Sequence, residues 1–199
     1  MNPELPDFLP GRLTLEAGTS RDYADLACYH YLPKRPATWA GVWVVRYTPN
    51  RVLSAMAPSR VVAVGVLSYP TPSLPGRLRY FQTHHLTRRD EILWANANVR
   101  TISRVIVHPQ FRSLGLSTIL VRHLCDHCPT RYIESAALMA RAHPFFERAG
   151  MTRVEPKDPD DPVYFILDKE SEAARAFRSL SHRVEESPWG QRVRVRASA

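Results

Sequence analysis

The sequence predicts one mixed α/β domain, and three observations support that prediction. The chain has 199 residues, which is the length of one domain of ordinary size. Hydrophobic residues make up 44% of it and charged residues 23%, the proportions of a globular protein, which excludes wholesale disorder. Segments rich in β-branched and aromatic residues alternate with segments of helical spacing, without an internal repeat or a domain linker.

The order of these segments divides the chain into a lead-in over residues 1–11, a domain over 12–168, and a C-terminal helix with a basic tail over 169–199. Strands are expected at 12–16, 39–47, 60–69, 101–107, 133–138 and 163–167. Helices are expected from Thr19 or Ser20 to before Pro33, and at 117–127, 143–149 and 170–182. The stretch 70–98 contains three prolines, and we expect a long irregular loop that serves binding or is partly disordered.

Arginine dominates the charge of the chain. Lys and Arg number 27 against 19 Asp and Glu, which gives a net charge of +8, and 24 of the 27 are arginine. Guanidinium groups make planar, bidentate contacts with phosphates, so the charge favours DNA, RNA or a nucleotide cofactor as ligand. A GC-rich genome explains the arginine excess equally well, and the charge alone does not identify the ligand.

Several classes of protein are excluded by the composition. No apolar run approaches the roughly 20 residues that span a bilayer, and the first twelve residues have neither the basic nor the apolar region of a secretory signal. Cys28, Cys125 and Cys128 are too few for a disulfide framework, so we expect a cytoplasmic protein with no membrane partner. Cys125 and Cys128, with His123 nearby, make at most half of a zinc site.

The clearest chemical signal is a strand that runs through a tight turn into a helix, at residues 105–117 (VIVHPQFRSLGLS). The first backbone N–H groups of such a helix are unpaired and its dipole adds positive charge, so a diphosphate fits there. Gly115 permits a close approach of the backbone, Ser117 keeps the helix start small, and Arg112 adds charge. Taken alone, the pattern also describes an ordinary turn with a surface arginine.

Two blocks of sequence together resemble the GNAT (Gcn5-related N-acetyltransferase) superfamily. Residues 112–117 (RSLGLS) are similar to its motif A, R/Q-x-x-G-x-G/A, and residues 146–151 (FERAGM) are similar to its motif B, usually Tyr-x-x-x-Gly-Phe. The resemblance covers residues 12–167 approximately. It implies a mixed central sheet with helices on both faces and a V-shaped opening between the two central strands, 101–107 and 133–138.

The same resemblance implies that acetyl-CoA or another acyl-CoA binds in this opening. Backbone groups of Val105 and Val107 would hold the pantetheine arm. The backbone amides of the turn would hold the diphosphate, and these belong to Arg112, Ser113, Leu114, Gly115, Leu116 and Ser117. An amine would attack the thioester with help from a base, and the thiolate would leave with help from an acid.

The acid that the family usually employs is absent, because Phe146 stands where many members have tyrosine. Tyr132, His143 and Ser135 are the candidate replacements. None of the three is favoured over the others by the sequence.

Two charged residues fall on the strands that would line the acyl site. Arg104 lies inside its strand, where a charge is costly unless it meets an anion or a carboxylate. Glu134, at the start of the facing strand, is the candidate carboxylate. It would act either as a structural partner of Arg104 or as the general base for the incoming amine.

The segment 28–33 (CYHYLP) closes the first predicted helix, where the family's substrate pocket usually lies. Three interpretations of His30 and Tyr31 stay open at this point. They form a metal-ligand pair, an element that stacks on a base, or a helix C-terminus with its histidine at the negative end of the dipole.

Four segments together resemble a divergent branch, the phage Mom-type DNA modification proteins and the GNAT modules fused to ABC-type ATPases. The segments are 28–33 (CYHYLP), 102–105 (ISRV), 112–117 (RSLGLS) and 134–151 (ESAALMARAHPFFERAGM). Mom-type proteins convert adenine in DNA to an N6-carbamoylmethyl derivative, and an iron requirement has been proposed for them. The resemblance implies iron ligands at His30 and Tyr31, with Arg104, Ser117 and Glu134 beside the reacting groups.

A DNA substrate would need basic contacts outside the motifs. The candidates are Arg77, Arg79, Arg88 and Arg89 of the predicted loop, with Arg192, Arg194 and Arg196 of the tail. Adenine N6 is hard to reach inside a duplex, so the base would be flipped and Trp94, Phe81 or Tyr80 would stack at the opened position.

Two other functions are kept as alternatives. The first is acetyl-CoA-dependent N-acetylation of a small-molecule amine or a protein amine. The second is a non-catalytic module that binds DNA or a partner, for which Phe146 is the best argument. Helix 170–182 is expected to be a packing element or a contact in a dimer.

Overall fold

A computed structural model describes residues 5–6, 9–31, 34–50, 59–82, 86–139 and 143–171. The strands within these residues are β1 (Gly11–Ala17), β2 (Gly41–Pro49), β3 (Arg60–Ser68), β4 (Val99–Val107), β5 (Tyr132–Ala137), β6 (Thr152–Val154) and β7 (Val163–Asp168). The helices are α1 (Ser20–Leu26), α2 (Pro75–Phe81), α3 (Arg88–Asn98), α4 (Leu116–His127) and α5 (Phe145–Arg148). Short 3₁₀ turns occupy Ala27–Tyr29 and Pro109–Phe111.

The described strands form one mixed sheet, in the order β1-β2-β3-β4-β5-β7-β6. Neighbouring strands are antiparallel except β4 and β5, which are parallel and lie at the centre. The six predicted strands are all present within a few residues of their expected bounds. The seventh, β6, has three residues, which is too few for a periodic pattern to reveal it.

Helices pack on both faces of the sheet, as predicted. Val121 and Leu124 of α4 join a core cluster with Ile133 of β5 and Phe165 of β7. On the other face, a cluster around Tyr23 of α1 includes residues of β2, β3 and β4. The central strand β4 thus contributes to both clusters, through Ile102 on the α4 side and Ile106 on the α1 side.

The first helix begins where the sequence indicates. The side chain of Thr19 accepts a hydrogen bond from the Asp22 backbone, and the Asp22 carboxylate accepts one from the Thr19 backbone. This reciprocal capping selects Thr19 over Ser20 as the N-cap. The α-helix ends at Leu26 and is followed by a 3₁₀ turn to Tyr29. It therefore ends several residues before Pro33, which set the predicted limit.

The prediction of an irregular loop over 70–98 is wrong, because this stretch contains α2 and α3. Pro75 occupies the first turn of α2, where its missing N–H group costs no hydrogen bond. Thr87 caps α3 by accepting a hydrogen bond from the Asp90 backbone. The prolines precede or start a helix here, so their number does not indicate a loop.

Parts of the prediction fall outside the described residues. These parts are the tail arginines, all but the first two residues of helix 170–182, and the pair His84 and His85. Among the residues that the structure describes, no helix is both long and apolar enough to cross a membrane.

Candidate active site

The central strands β4 and β5 separate after a short paired stretch. Their pairing begins at Val99 with Tyr132 and ends at Thr101 with Glu134. Just beyond this point, the Ser135 hydroxyl donates a 3.0 Å hydrogen bond to the Ile102 carbonyl. Among the described strands, none pairs with the rest of β4 on this side, and this geometry is the predicted V-shaped opening.

A β-bulge lies on β4 at the point where the strands separate. Val66 of β3 pairs with Arg104 and Leu67 pairs with Ile102, so Ser103 is the extra residue. The Ser103 hydroxyl lies 2.7 Å from that of Ser68 on β3. Bulges bend a strand and increase its twist, which accounts for the divergence of β4 from β5.

The opening continues into a cavity of about 1100 Å³. Four stretches line it: 28–31 after α1, 102–107 of β4, 111–118 apart from Leu114, and residues of β5, α5 and the chain between them. A smaller hollow of about 600 Å³ lies between Leu9–Thr14 and Thr48–Asn50, away from the motifs. The large cavity is therefore the candidate site.

One end of the cavity is the turn before α4. Gly115 is the N-cap of α4 with φ of 75°, and no side chain caps the helix. A Cβ atom built on Gly115 meets nothing within 4 Å. Arg112 is exposed beside it, and the Leu114 side chain packs on the core, which leaves only its backbone for a ligand. The Arg112 amide donates to the Pro109 carbonyl at 3.3 Å, so the amides that suit a diphosphate are those of the uncapped start of α4, with the positive charge of Arg112 beside them.

Glu134 does not act in the cavity. Its side chain is fully buried, and its two oxygens accept four hydrogen bonds, from Arg77 (2.6 and 2.9 Å), Thr101 (2.7 Å) and Tyr164 (3.0 Å). Burial and the Glu134 charge raise the pKa of Tyr164, so its phenol stays protonated and donates. The prediction that Glu134 is the general base is therefore wrong, because all its acceptor positions are used.

The hydrogen-bond network of Glu134 also corrects the role predicted for Arg77. It was predicted to contact DNA phosphates, but its side chain is fully buried against Glu134 and the Thr71 carbonyl. Sequence reasoning placed Arg77 in a loop, where a buried partner 57 positions away was not foreseeable.

Arg104 lines the cavity without the partner that the sequence suggested. Its Nη1 donates to the Ser103 carbonyl at 2.6 Å and its Nη2 to the Lys34 carbonyl at 2.8 Å. Its Nε is buried and has no hydrogen-bond partner among the residues that the structure describes. The alternative of an Arg104–Glu134 pair is thus wrong, since Glu134 is committed to Arg77.

The candidate acids are separated by the structure. Tyr132 lies outside the cavity lining, against Phe81 (ring centroids 4.8 Å apart) and Trp94 (5.9 Å), so its assignment as catalytic is wrong. The Ser135 hydroxyl lines the cavity but already donates to a carbonyl. His143 lines the cavity and is exposed, beside the buried Phe146. Ser117, predicted to be catalytic, also lines the cavity, in the first turn of α4.

One contact of a cavity residue was missed by sequence reasoning, between Tyr29 of the lining and His108, which is not part of the lining. The Tyr29 hydroxyl lies 3.3 Å from Nε2 of His108, and the Gln110 backbone donates to Nδ1 of the same ring. Nδ1 therefore accepts, and Nε2 carries the proton toward Tyr29. Burial, and then the charges of Arg60 and Arg112, lower the pKa of His108. The two residues are 79 positions apart, so only the fold reveals the pair.

The metal assignment does not fit the residues present. His30 and Tyr31 line the cavity with their rings stacked at 4.6 Å, and half of Tyr31 is exposed. The described part of the chain contains no group of three or more His, Cys, Asp or Glu that could hold a metal ion. Cys125 and Cys128 are buried in the core, which also removes the half zinc site.

The remaining predicted nucleic-acid contacts lie away from the cavity lining. Arg88 and Arg89 are exposed in the first turn of α3, and Arg79 is partly buried, 3.5 Å from the Glu155 carbonyl. Phe81 and Trp94 pack on each other with ring centroids 4.7 Å apart. These two rings are thus engaged in the fold, whereas Tyr80 is exposed.

Comparison with known proteins found both similar structures and a family. Three solved structures are similar to this chain, each with a TM-score of 0.48: a chain of the KacTA–DNA complex (13% identity, 86% of this chain and 99% of that chain covered), the aminoglycoside acetyltransferase AAC(6')-Ib in complex with coenzyme A and kanamycin (18%, 84% and 99%), and an agmatine N-acetyltransferase mutant in its apo form (12%, 79% and 100%). A search of curated proteins found no match. Residues 28–151 match the acetyltransferase (GNAT) family, which is more than half of the chain. The chain therefore belongs to the acetyltransferase (GNAT) family.

Proposed function

We propose that this protein transfers an acyl group from acyl-CoA to an amine. The observation that carries the proposal is the continuity of one cavity from the uncapped start of α4 to the unpaired edge of β4. The backbone amides of residues 113–117 suit the diphosphate, and the edge of β4 at Val105 and Val107 suits the amide groups of the pantetheine arm. The Val107 carbonyl accepts a 3.4 Å hydrogen bond from Nε of Arg112, which a bound ligand would share or replace. The thioester would then lie near the bulge at Ser103.

The chemistry requires a proton for the leaving sulfur. The amine nitrogen bonds to the acyl carbon, the C–S bond breaks, and the thiolate takes up a proton. We assign His143 as the donor, because it lines the cavity and the neighbouring Phe146 cannot donate. Ser117, in the first turn of α4, is assigned to contact the diphosphate.

The lining of the cavity as a whole is basic. Arg104, Arg112 and Arg148 line it, and among the described lining residues there is no Asp or Glu. A pocket for a polycationic amine needs carboxylates to compensate its charges. The lining therefore favours a neutral or anionic amine acceptor.

Modification of adenine N6 in DNA, as in Mom-type proteins, is the second candidate. Three observations favour it: the net charge of +8, the basic cavity lining, and the exposed Arg88 and Arg89. We also keep a cytoplasmic location and a dimer as proposals for this protein. A non-catalytic module would bind DNA or a partner without turnover.

Calorimetric titration with acetyl-CoA tests the first proposal. Gly115→Glu places a carboxylate in the open space of the turn, and we expect it to weaken binding at least about 10-fold through charge repulsion and crowding. Gln110→Glu adds the same charge outside the cavity lining and should change binding less than about 2-fold. If Gly115→Glu bound acetyl-CoA with the same affinity as the wild type, the turn would not be the diphosphate site.

Nucleoside mass spectrometry of DNA from cells that express the protein tests the second candidate. A new adenine-derived mass that disappears with Arg104→Ala would support base modification at this cavity. An unchanged nucleoside profile would reject it in favour of acylation of another amine, to be identified with an amine panel and acetyl-CoA.

A further inference from the structure

Arg104 lies on the acceptor side of the sheet. Ile106, two residues further along β4, packs in the cluster with α1, whereas Val105 packs against the clusters of α4. Alternate residues of a strand share a face, so Arg104 points to the α1 side. The bond from its Nη2 to the Lys34 carbonyl agrees with this, because Lys34 follows the 28–31 segment that lines the cavity.

Among the described residues, Arg104 has no counter-ion. Three other buried or partly buried arginines meet carboxylates: Arg77 with Glu134, Arg46 with Glu16 and Asp22, and Arg153 with Glu147 and Glu155. Arg100, which lies outside the cavity lining, donates to backbone carbonyls as Arg104 does. Arg104 meets two backbone carbonyls, and among the described residues no carboxylate forms an ion pair with it. A partly desolvated guanidinium that retains an unpaired, buried Nε is unfavourable until an anion reaches it.

This position is separate from the diphosphate turn. Arg104 precedes the end of β4 at Val107 by three residues, which is roughly 10 Å of extended chain, and the turn lies further on. One phosphate group cannot contact both. An anion at Arg104 would therefore belong to a second molecule bound beside the acyl end of the cavity.

We propose that Arg104 binds an oxyanion of the acceptor, so that the acceptor is an amine that also carries a phosphate or a carboxylate. This inference rests on the proposed acyl transfer and narrows its substrate class. Guanidinium binds both oxyanions in a bidentate manner. The fixed carbonyl contacts of Arg104 orient its remaining donors, which gives the acceptor one position relative to the thioester.

Titration of the CoA-saturated protein tests this inference, because CoA fills the diphosphate turn. The probes are two matched pairs, O-phosphoethanolamine with ethanolamine, and β-alanine with propylamine. We expect the wild type to bind the anionic member of one pair with at least about 10-fold higher affinity than its neutral counterpart. A preference for O-phosphoethanolamine would identify a phosphate, and a preference for β-alanine would identify a carboxylate. Arg104→Gln should abolish the preference. Arg104→Lys should retain part of it, because lysine keeps the positive charge but cannot make the bidentate contact of a guanidinium group.

Arg21→Gln is the matched control, since Arg21 is exposed on α1 and lies outside the cavity lining, and it should keep the preference. Equal affinity for both members of each pair in the wild type overturns the inference, as does an unchanged preference in Arg104→Gln. Failure of the free protein to bind CoA overturns the proposed function instead. In that case, titration of the free protein with the same two pairs of amines tests whether Arg104 binds an oxyanion independently of acyl-CoA.

Discussion

At the residue scale, the contrast between Arg77 and Arg104 separates fold from function. Both guanidinium groups lie near the sheet centre, and each was a candidate for a functional role. Arg77 has a carboxylate whose four acceptor positions are filled, so it stabilises the point where β4 and β5 separate. Within the described part of the chain, Arg104 donates to two backbone carbonyls and to no carboxylate, so its charge remains available to a ligand.

Glu134→Gln should destabilise the protein by about 3–5 kcal/mol, because it leaves the buried Arg77 charge uncompensated. The free energy of unfolding in urea measures the effect. Glu16→Gln removes the carboxylate of a partly exposed pair with Arg46 and should cost less than about 1 kcal/mol. Similar losses in the two variants would contradict a structural role for Glu134.

His143→Ala should lower kcat by about 100-fold while the affinity for acetyl-CoA stays the same, because only the proton donor is removed. Steady-state release of the CoA thiol measures kcat. Phe146→Tyr in the His143→Ala background restores the hydroxyl that the family usually has, and should recover part of the rate. An unchanged kcat in His143→Ala would exclude His143 as the donor.

At the scale of elements, β4 and α4 together build the site. Gly65 of β3 lies beneath α4, where an added Cβ would come within 2.7 Å of Leu124 and 3.0 Å of Leu120. The glycine lets α4 pack close to the sheet, which sets the position of its uncapped N-terminus relative to β4. The bulge at Ser103 then turns the adjacent edge of β4 away from β5.

α4 also carries a buried histidine that makes stability depend on pH. Burial lowers the pKa of His123 to about 4, with a smaller effect from the charge of His127. The unfolded pKa is near 6.5, so stability is complete above about pH 6.5 and falls as the pH drops toward 4. The loss is on the order of 2 kcal/mol.

Urea unfolding at pH 7 and at pH 4 measures this loss. His123→Leu keeps an apolar contact with Trp43 and removes the titrating group, so the difference between the two pH values should shrink. Carboxylates contribute equally to both proteins. The same pH dependence in the variant and the wild type would refute the assignment to His123.

The elements also show where sequence patterns suffice. The β-branched runs predicted β3 and β4, and Gly115 with Ser117 predicted the start of α4 within one residue, because these signals are local. The helices α2 and α3 were missed because the prolines and arginines of 70–98 suggested a loop. In the structure, α2 is held by Arg77 and by the close contact of Gly76 with Tyr164, and both are tertiary contacts.

At the scale of the whole molecule, the net charge of +8 predicts binding to nucleic acid that weakens with salt. The double variant Arg88→Glu and Arg89→Glu should weaken binding to duplex DNA at least about 10-fold at low salt, if this exposed end of α3 contacts phosphates. Fluorescence anisotropy across a salt series measures the affinity and its slope. Arg12→Glu with Arg21→Glu changes the net charge equally at other exposed positions.

A similar loss in both double variants would assign the effect to net charge alone. A DNA affinity indifferent to salt would count against DNA as the macromolecular substrate. Loss in the Arg88 and Arg89 variant alone would place DNA on the α3 side of the molecule. DNA would then have to reach the candidate cavity from the α3 side.

The sequence by itself determined the mixed α/β class, the strand-turn-helix at residues 105–117 and its resemblance to the GNAT superfamily, because each of these depends on neighbouring residues. The tertiary structure decided which charged groups meet. It paired Glu134 with Arg77, removed Tyr132 from the cavity and joined Tyr29 to His108. Partners far apart in sequence are selected by packing, which local patterns do not encode, and so the free charge of Arg104 became visible only in the fold.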